Sequence, residues 1–249
     1  ATRSMPLGTE EEQGKFNVGD EIFVARKENS DIKEYAIYRF DGSVWTPKDG
    51  KYLLWVKDRI DLEAFYPAEV GLKALKGEVP DLQTDQSTKE NIAKADFMAT
   101  ELKQVKKTDQ ALNLEMKRLT SRFIVKIAGF NSEFPAGTKV GNVRFHNQRN
   151  ASDPPVTYTP YAEGTGEAGS TYTVLVPGNA AYNTISLEVG GKTMTAKLSE
   201  FTYDSGLSYT YRLTVGKEKL ETTEVTVSNW TGSAVIPGGE ANLAKWDGV

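Results

Sequence analysis

Thr184-Ile185-Ser186-Leu187-Glu188-Val189-Gly190-Gly191-Lys192-Thr193-Met194-Thr195-Ala196-Lys197-Leu198 is the stretch that decides the fold. On either side of the glycine pair, apolar and polar residues alternate, which is the period of a strand with one buried face. A two-residue hairpin asks both central residues for positive φ, and glycine has no Cβ to clash there. Residues 184–198 therefore read as two strands, Thr184 to Val189 and Lys192 to Leu198, joined by Gly190-Gly191.

The same pattern recurs outward from this hairpin. In the second half it marks Phe123 to Ile127, Val140 to Phe145, Thr171 to Val176, Tyr209 to Val215 and Thr223 to Trp230. In the first half it marks Asp20 to Ala25, Glu34 to Phe40, Tyr52 to Val56, Arg59 to Tyr66 and Leu112 to Met116. Asp41-Gly42, Asp49-Gly50 and Pro67 supply turns between them. The main helical exception is Ser87 to Ala95, where Ser87 and Glu90 fit a capping box. Many short strands closed by turns predict sandwiches or barrels, and the number here exceeds one small sandwich. Two are expected, 1–119 and 120–249, with the join near Leu119 to Ser121, where Lys117-Arg118 interrupts the apolar pattern. Segments 1–15, 147–170 and 231–249, rich in Gly, Pro, Ser, Thr and Glu, read as loops or mobile ends, 231–249 as a mobile tail.

The inventory excludes several classes. In 249 residues there are no cysteines and one histidine, which removes thiol nucleophiles, disulfides, Cys/His zinc sites and any triad lacking His146. Thirty Lys+Arg against 34 Asp+Glu give a net charge of −4, the wrong sign for a nucleic-acid partner. The longest apolar run, Tyr52 to Val56, is far short of the roughly 20 residues of a membrane-spanning helix. The chain opens on Ala1 and is expected to have been processed or trimmed upstream. No catalytic residue, metal or cofactor is expected.

Motif by motif, the bland reading prevails. Gly164-Thr165-Gly166-Glu167-Ala168-Gly169 matches G-x-G-x-x-G, but Pro160 interrupts its approach and the alternating run from Ser170 to Val176 follows in place of a helix, so a loop is expected. Gly191-Lys192-Thr193 has Ser186 where a phosphate loop needs glycine. His146 has neither a cysteine nor a second histidine to share a metal and is expected to be satisfied locally or at the surface. Lys103, Lys106, Lys107, Lys117 and Arg118, interleaved with Glu101, Asp109 and Glu115, read as a solvated face. Trp45, Tyr52, Trp55, Phe65, Tyr66, Tyr209 and Tyr211 could stack on sugars, but their places in alternating strands favour core packing.

A set of landmarks in order resembles the fimbrillin-like proteins of Bacteroidetes, the pilins and pilus accessory subunits. They are Thr2-Arg3, Val18-Gly19-Asp20-Glu21-Ile22, Asp41-Gly42-Ser43-Val44-Trp45, Ala64-Phe65-Tyr66-Pro67, Asp96-Phe97-Met98-Ala99, Leu119-Thr120-Ser121-Arg122-Phe123, Gly206-Leu207-Ser208-Tyr209-Thr210-Tyr211 and Val225-Thr226-Val227-Ser228-Asn229-Trp230. The resemblance implies an all-β chain of two transthyretin-like Greek-key β-sandwich domains with at most one or two short helices. It also implies export as a lipoprotein to the outer membrane and fimbrium, cleavage by an Arg-specific protease, and assembly by strand exchange. A sandwich lacking a strand exposes unpaired backbone groups beside an apolar groove, which another subunit's strand can fill.

On that footing Arg3 is the expected cleavage site, because Arg26 closes an apolar run that strand pairing would protect. Val225, Val227, Val235 and Ile236 are the strand-exchange candidates. The expected partners are other fimbrial subunits and a host or bacterial surface ligand, with membrane association only through a lipid anchor on the precursor. The lipid-bearing cysteine is absent here, and Arg118 stands where many relatives are expected to carry histidine. The rival expectation is a surface glycan-binding lipoprotein.

Overall fold

The structure, a computed structural model, describes residues 6–7, 15–108, 111–178, 182–199, 204–216, 220–230 and 234–236. By contact the chain divides into two compact units, Ala1–Asp81 with Asp96–Leu119 and Thr231–Val249, and Leu82–Ala95 with Thr120–Trp230.

The first unit begins with β1 (Glu21–Glu28), β2 (Asp31–Phe40), β3 (Trp45–Pro47) and β4 (Arg59–Tyr66). Helix α1 (Ala68–Leu75), β5 (Met98–Lys106), β6 (Leu112–Leu114) and β7 (Lys117–Arg118) follow. All but β6 of these strands form one sheet in the order β3-β2-β1-β4-β5-β7. Ile22, Phe23, Val24 and Ala25 at the centre of β1 are buried one after another, so this strand has no solvent face. Ile22 and Val24 join Trp45, Tyr66, Met98, Leu114 and Met116 in one core. Phe23 and Ala25 join Ala68 of α1 in another, with Phe65 and Leu72 against it. A run apolar at every position is what a strand covered on both faces requires.

The second unit begins with α2 (Lys89–Lys94), β8 (Thr120–Phe130), β9 (Gly141–Gln148), β10 (Val156–Tyr158) and β11 (Tyr161–Glu163). It continues with β12 (Thr171–Pro177), β13 (Tyr182–Val189), β14 (Lys192–Ser199), β15 (Leu207–Val215) and β16 (Leu220–Asn229). Two sheets, β10-β9-β13-β14 and β11-β12-β8-β15-β16, enclose a core that includes Phe123, Phe145, Val174, Ile185, Leu187, Tyr209 and Tyr211. β8 and β15 run parallel and their neighbours antiparallel. The glycine hairpin forms as read, with Gly190 at φ 56°, Gly191 at φ 77° and Val189 opposite Lys192.

Segment 82–95 lies between two stretches of the first unit in sequence yet packs into the second, and one side chain shows how. Gln86 is fully buried. Its side-chain amide donates to the Leu175 carbonyl (2.7 Å) and accepts from the Leu175 N–H (2.8 Å), while its own N–H donates to Thr159 (2.8 Å). β11 pairs β12 only over Thr171–Thr173, so Gln86 continues the ladder where β11 stops. Gln86→Leu keeps the bulk but orphans both Leu175 groups, and it is expected to cost about 2 kcal/mol. Urea unfolding checks this; a loss below about 0.5 kcal/mol, the range of ordinary surface changes, contradicts it.

The last strand, β17 (Ala234–Ile236), belongs to the first unit and pairs antiparallel with β6 as a separate two-stranded sheet. The mostly-β class with two short helices is the one expected.

Several local expectations need correction. Residues 52–56 enter no ladder. The loop expected over 147–170 contains β10 and β11, which are only three residues each and too short to show a period. The helix cap is one residue later than read: the Thr88 hydroxyl accepts from Asn91 N–H (3.1 Å), and Ser87 instead donates to Asp85 (2.6 Å). α1 was not anticipated, although Pro67 before it, Glu69 in its first turn and Gly77 beyond its end are helix punctuation. Arg118 is not part of a solvated face, because its side chain is wholly buried against Asp96.

Candidate functional site

Among the described residues no group of three His, Cys, Asp or Glu could hold a metal ion, and no helix is long and apolar enough to cross a membrane. His146 lies between Thr157 Oγ1 (2.9 Å from Nδ1) and Ser186 Oγ (2.8 Å from Nε2). Burial, and secondarily the Arg144 charge, push its pKa below the ordinary 6.5. Because the unfolded chain then binds the proton more readily, stability falls as pH drops from about 6.5 and levels off below the folded midpoint. A proton NMR titration of this single imidazole is expected to give a midpoint below 6.5; one at or above it contradicts the burial.

Of the seven aromatics, Trp45, Tyr66, Tyr209 and Tyr211 are core residues. Phe65 and Trp55 are half-buried and Tyr52 alone stands in solvent, so no flat platform for a sugar forms. The glycines of 164–169 lie in the turn between β11 and β12, with a strand rather than a helix after it.

The landmark stretches converge instead on packing nodes. In the second unit, Arg122 Nε donates to Ser208 Oγ (2.8 Å) and its guanidinium covers the Trp230 ring at 5.1 Å. Trp230 N–H donates to Gly206, and Gly206 N–H to Thr120, both at 2.9 Å. Ser121 Oγ donates to the Asp204 carbonyl and the Asp204 N–H to the Tyr209 hydroxyl. In the first unit, Arg118 and Asp96 form a two-pronged pair, Nε to Oδ1 at 2.8 Å and Nη2 to Oδ2 at 3.0 Å. Leu119 N–H donates to Phe97 beside it. These residues build the fold.

β7 pairs β5 only at Met98–Arg118 and Ala99–Lys117, so from Thr100 onward one edge of β5 has no ladder partner among the described residues. Beside it lies a groove of about 610 Å³ lined by Ala99 to Leu102 of β5 and by Asn113, Glu115 and Lys117. Two of its wall carboxylates are compensated: Lys27 meets Glu63 at 3.1 Å and Glu101 at 3.7 Å, and Lys103 pairs with Glu101 and lowers its pKa. The edge is guarded at its far end by a bulge, where Gln104 N–H donates to Asp61 Oδ1 (2.7 Å).

The strand-exchange candidates fall on two different sheets. Val225 and Val227 lie on β16, an edge strand of the second unit, opposite Tyr211 and Tyr209 of β15. Val235 and Ile236 lie on β17, opposite Asn113 and Leu112 of β6. Arg3 is outside the described residues. Arg26 sits inside β1, opposite Glu34 on one side and Leu62 on the other. Sequence reading missed the β5 edge, because Met98–Lys106 is too polar to stand out as a strand.

The family model of fimbrillin-like proteins matches residues 7–230. No curated protein sequence matches the chain. Among solved structures, a candidate cell adhesion protein from Bacteroides uniformis is similar with a TM-score of 0.59 at 17% identity, covering 87% of this chain and 93% of that one. Another from Bacteroides ovatus gives a TM-score of 0.60 at 14% identity, over 87% and 89% of the two chains. The tip fimbrial protein Mfa3 from Porphyromonas gingivalis, solved with a C-terminal truncation, gives 0.54 at 12% identity over 92% and 97%. These similarities lie in the fold.

Proposed function

Because the chain belongs to the fimbrillin-like family, we propose that it is a non-enzymatic subunit or adhesin of a cell-surface fimbrium, joined to its neighbours by strand exchange. The observation that carries the reading is the pairing of β6 with β17, three residues on each side, beside the open groove along β5. A two-stranded ladder of this length is marginal by itself, so β17 can leave at small cost. A strand of another subunit entering the groove gains main-chain hydrogen bonds and buries alternate side chains. In this scheme Val235 and Ile236 are the donated apolar residues and the β5–β6 region is the acceptor. Arg3 is the cleavage switch, and the precursor reaches the outer membrane by a lipid anchor. The Mfa3 likeness and the adhesion proteins of similar fold suit a subunit that contacts a host or bacterial surface.

A mixing experiment tests the donor assignment. Val235→Asp with Ile236→Asp makes a chain that accepts a strand but donates none, so adding it to wild-type chain under assembling conditions is expected to shorten filaments in proportion to its fraction. Filaments of unchanged length overturn the assignment.

A further inference from the structure

Residues 51–57, Lys51-Tyr52-Leu53-Leu54-Trp55-Val56-Lys57, are a run held down at every second position. Lys51 Nζ covers the Tyr35 ring at 4.8 Å, and Lys57 Nζ meets Glu28 at 3.3 Å. Leu53 packs against the first core, and its N–H donates to the Tyr38 hydroxyl at 3.4 Å. Trp55 is half-buried. The intervening residues point outward: Tyr52 is 56% exposed, Leu54 62% and Val56 53%. Residues 51–56 belong to no strand, so an apolar, strand-like edge stands open in solvent. Natural sheets blunt such edges or use them for pairing.

We infer that this segment is a second docking edge and that its occupant is β16 of another copy of the chain. The alternation of exposure along the run, which is the period of a strand, selects a strand as the occupant. Charge selects which one. The segment has a lysine at each end, so pairing antiparallel with itself in another copy sets lysine against lysine. Among the described residues, four strands have an edge without a ladder partner over seven residues or more, the length of the segment: β2, β5, β14 and β16. β2 already holds the segment in its own copy, through Tyr35 and Tyr38. β14 carries Lys192 and Lys197, and β5 carries Lys103 and Lys106 against the single Glu101. β16 carries Glu221 and Glu224 and no basic residue. It is also ten residues long, enough to cover the segment.

The contact joins different surfaces of two copies, and such heterologous pairing propagates into open chains. The inference rests on the fimbrial reading, but it uses a surface separate from the β5 groove and needs no strand to leave its own subunit.

The test uses the full chain, whose lack of cysteine makes introduced thiols the only reactive ones. Leu54→Cys chain is mixed with chain carrying Thr223→Cys or Thr226→Cys, positions of opposite parity on β16, and heterodimeric disulfides are counted. One of the two pairs is expected to cross-link at least tenfold above a control pairing Leu54→Cys with Thr195→Cys of β14. Leu54→Glu is expected to weaken self-association in sedimentation velocity at least tenfold while leaving the unfolding midpoint unchanged. Reversing both lysines, Lys51→Glu with Lys57→Glu, is expected to weaken it likewise, with recovery when the partner copy carries Glu221→Lys and Glu224→Lys. Cross-linking no better than the control, or wild-type association by Leu54→Glu chain, overturns the inference. So does strong hydrogen-exchange protection of 51–57 in the dilute monomer, which means the chain's own residues cover the edge. Filaments that form without this cross-link leave the strand-exchange reading standing and this contact refuted; the cross-link without filaments does the reverse.

Discussion

Replacing Arg118 by methionine is expected to destabilise the first unit by about 3–5 kcal/mol, because it strands a carboxylate that water cannot reach. The side chains of Arg118 and Asp96 are both 0% exposed. Their two hydrogen bonds, at 2.8 and 3.0 Å, are matched fork to fork, the geometry in which guanidinium and carboxylate compensate each other's lost hydration. Removing one partner therefore costs far more than the pair is worth. Asp96→Leu with Arg118→Met, which removes both charges at similar bulk, is expected to recover more than half of the loss. Lysine at 118 is not conservative, since an ammonium cannot present two parallel donors. Chemical denaturation of the two single variants and the double variant measures the coupling. A loss of less than about 1 kcal/mol for Arg118→Met, the range of an exposed ion pair, contradicts the burial.

Gly71→Val is expected to cost about 3 kcal/mol or more, the upper range for overpacking. In an exposed helix a glycine is a weakness, and replacing it by alanine gains up to about 1 kcal/mol. Here the sign reverses. A Cβ at position 71 falls 2.3 Å from Phe23 Cγ and 2.6 Å from Phe23 Cβ. Phe23 is fully buried and stacks on Tyr35 at 5.0 Å, so its ring has nowhere to go. Glycine at 71 is what lets α1 lie on β1. Even Gly71→Ala is expected to destabilise in thermal unfolding, and Phe23→Leu is expected to relieve part of that loss. An alanine variant as stable as wild type contradicts this account of the helix–sheet contact.

The sequence is readable where each element meets one core face and water on the other. Arg59 to Tyr66 alternates and forms β4 over that span, and Gly190-Gly191 turns where its backbone freedom demands. Alternation fades where a third layer intervenes, although Asp20 to Ala25 and Thr171 to Val176 still read as strands and form most of β1 and β12. β12 is buried from Tyr172 to Val176, and the period disappears there just as it does in β1 under α1. That residues 82–95 travel to the second unit depends on a glutamine side chain acting as a piece of strand, for which local sequence carries no signal.

Charge was the other blind spot. Lys117-Arg118 reads as a solvated interruption, yet Lys117 is exposed and Arg118 buried, as alternation on β7 places them. The partner that makes burial tolerable, Asp96, is 22 residues away. For the candidate site, Val225, Val227, Val235 and Ile236 were legible as apolar residues of late strands, and they do lie on β16 and β17. Tyr52 to Val56 is a short unbroken apolar run closed by Gly50 before it and Asp58 after it, which is why it reads as a strand, yet it has no ladder partner among the described residues. The edge of β5 was illegible, since an edge is a property of what fails to pair.

The central claim is that subunits join by strand pairing after release from a precursor. Light scattering with electron microscopy of the full-length precursor, before and after limited digestion with an Arg-specific protease, tests it most directly. The account predicts monomers before cleavage and filaments after it, with the cut at Arg3 or a neighbouring exposed arginine and none at Arg26, which lies inside β1. A cleaved chain that stays monomeric at every concentration contradicts it.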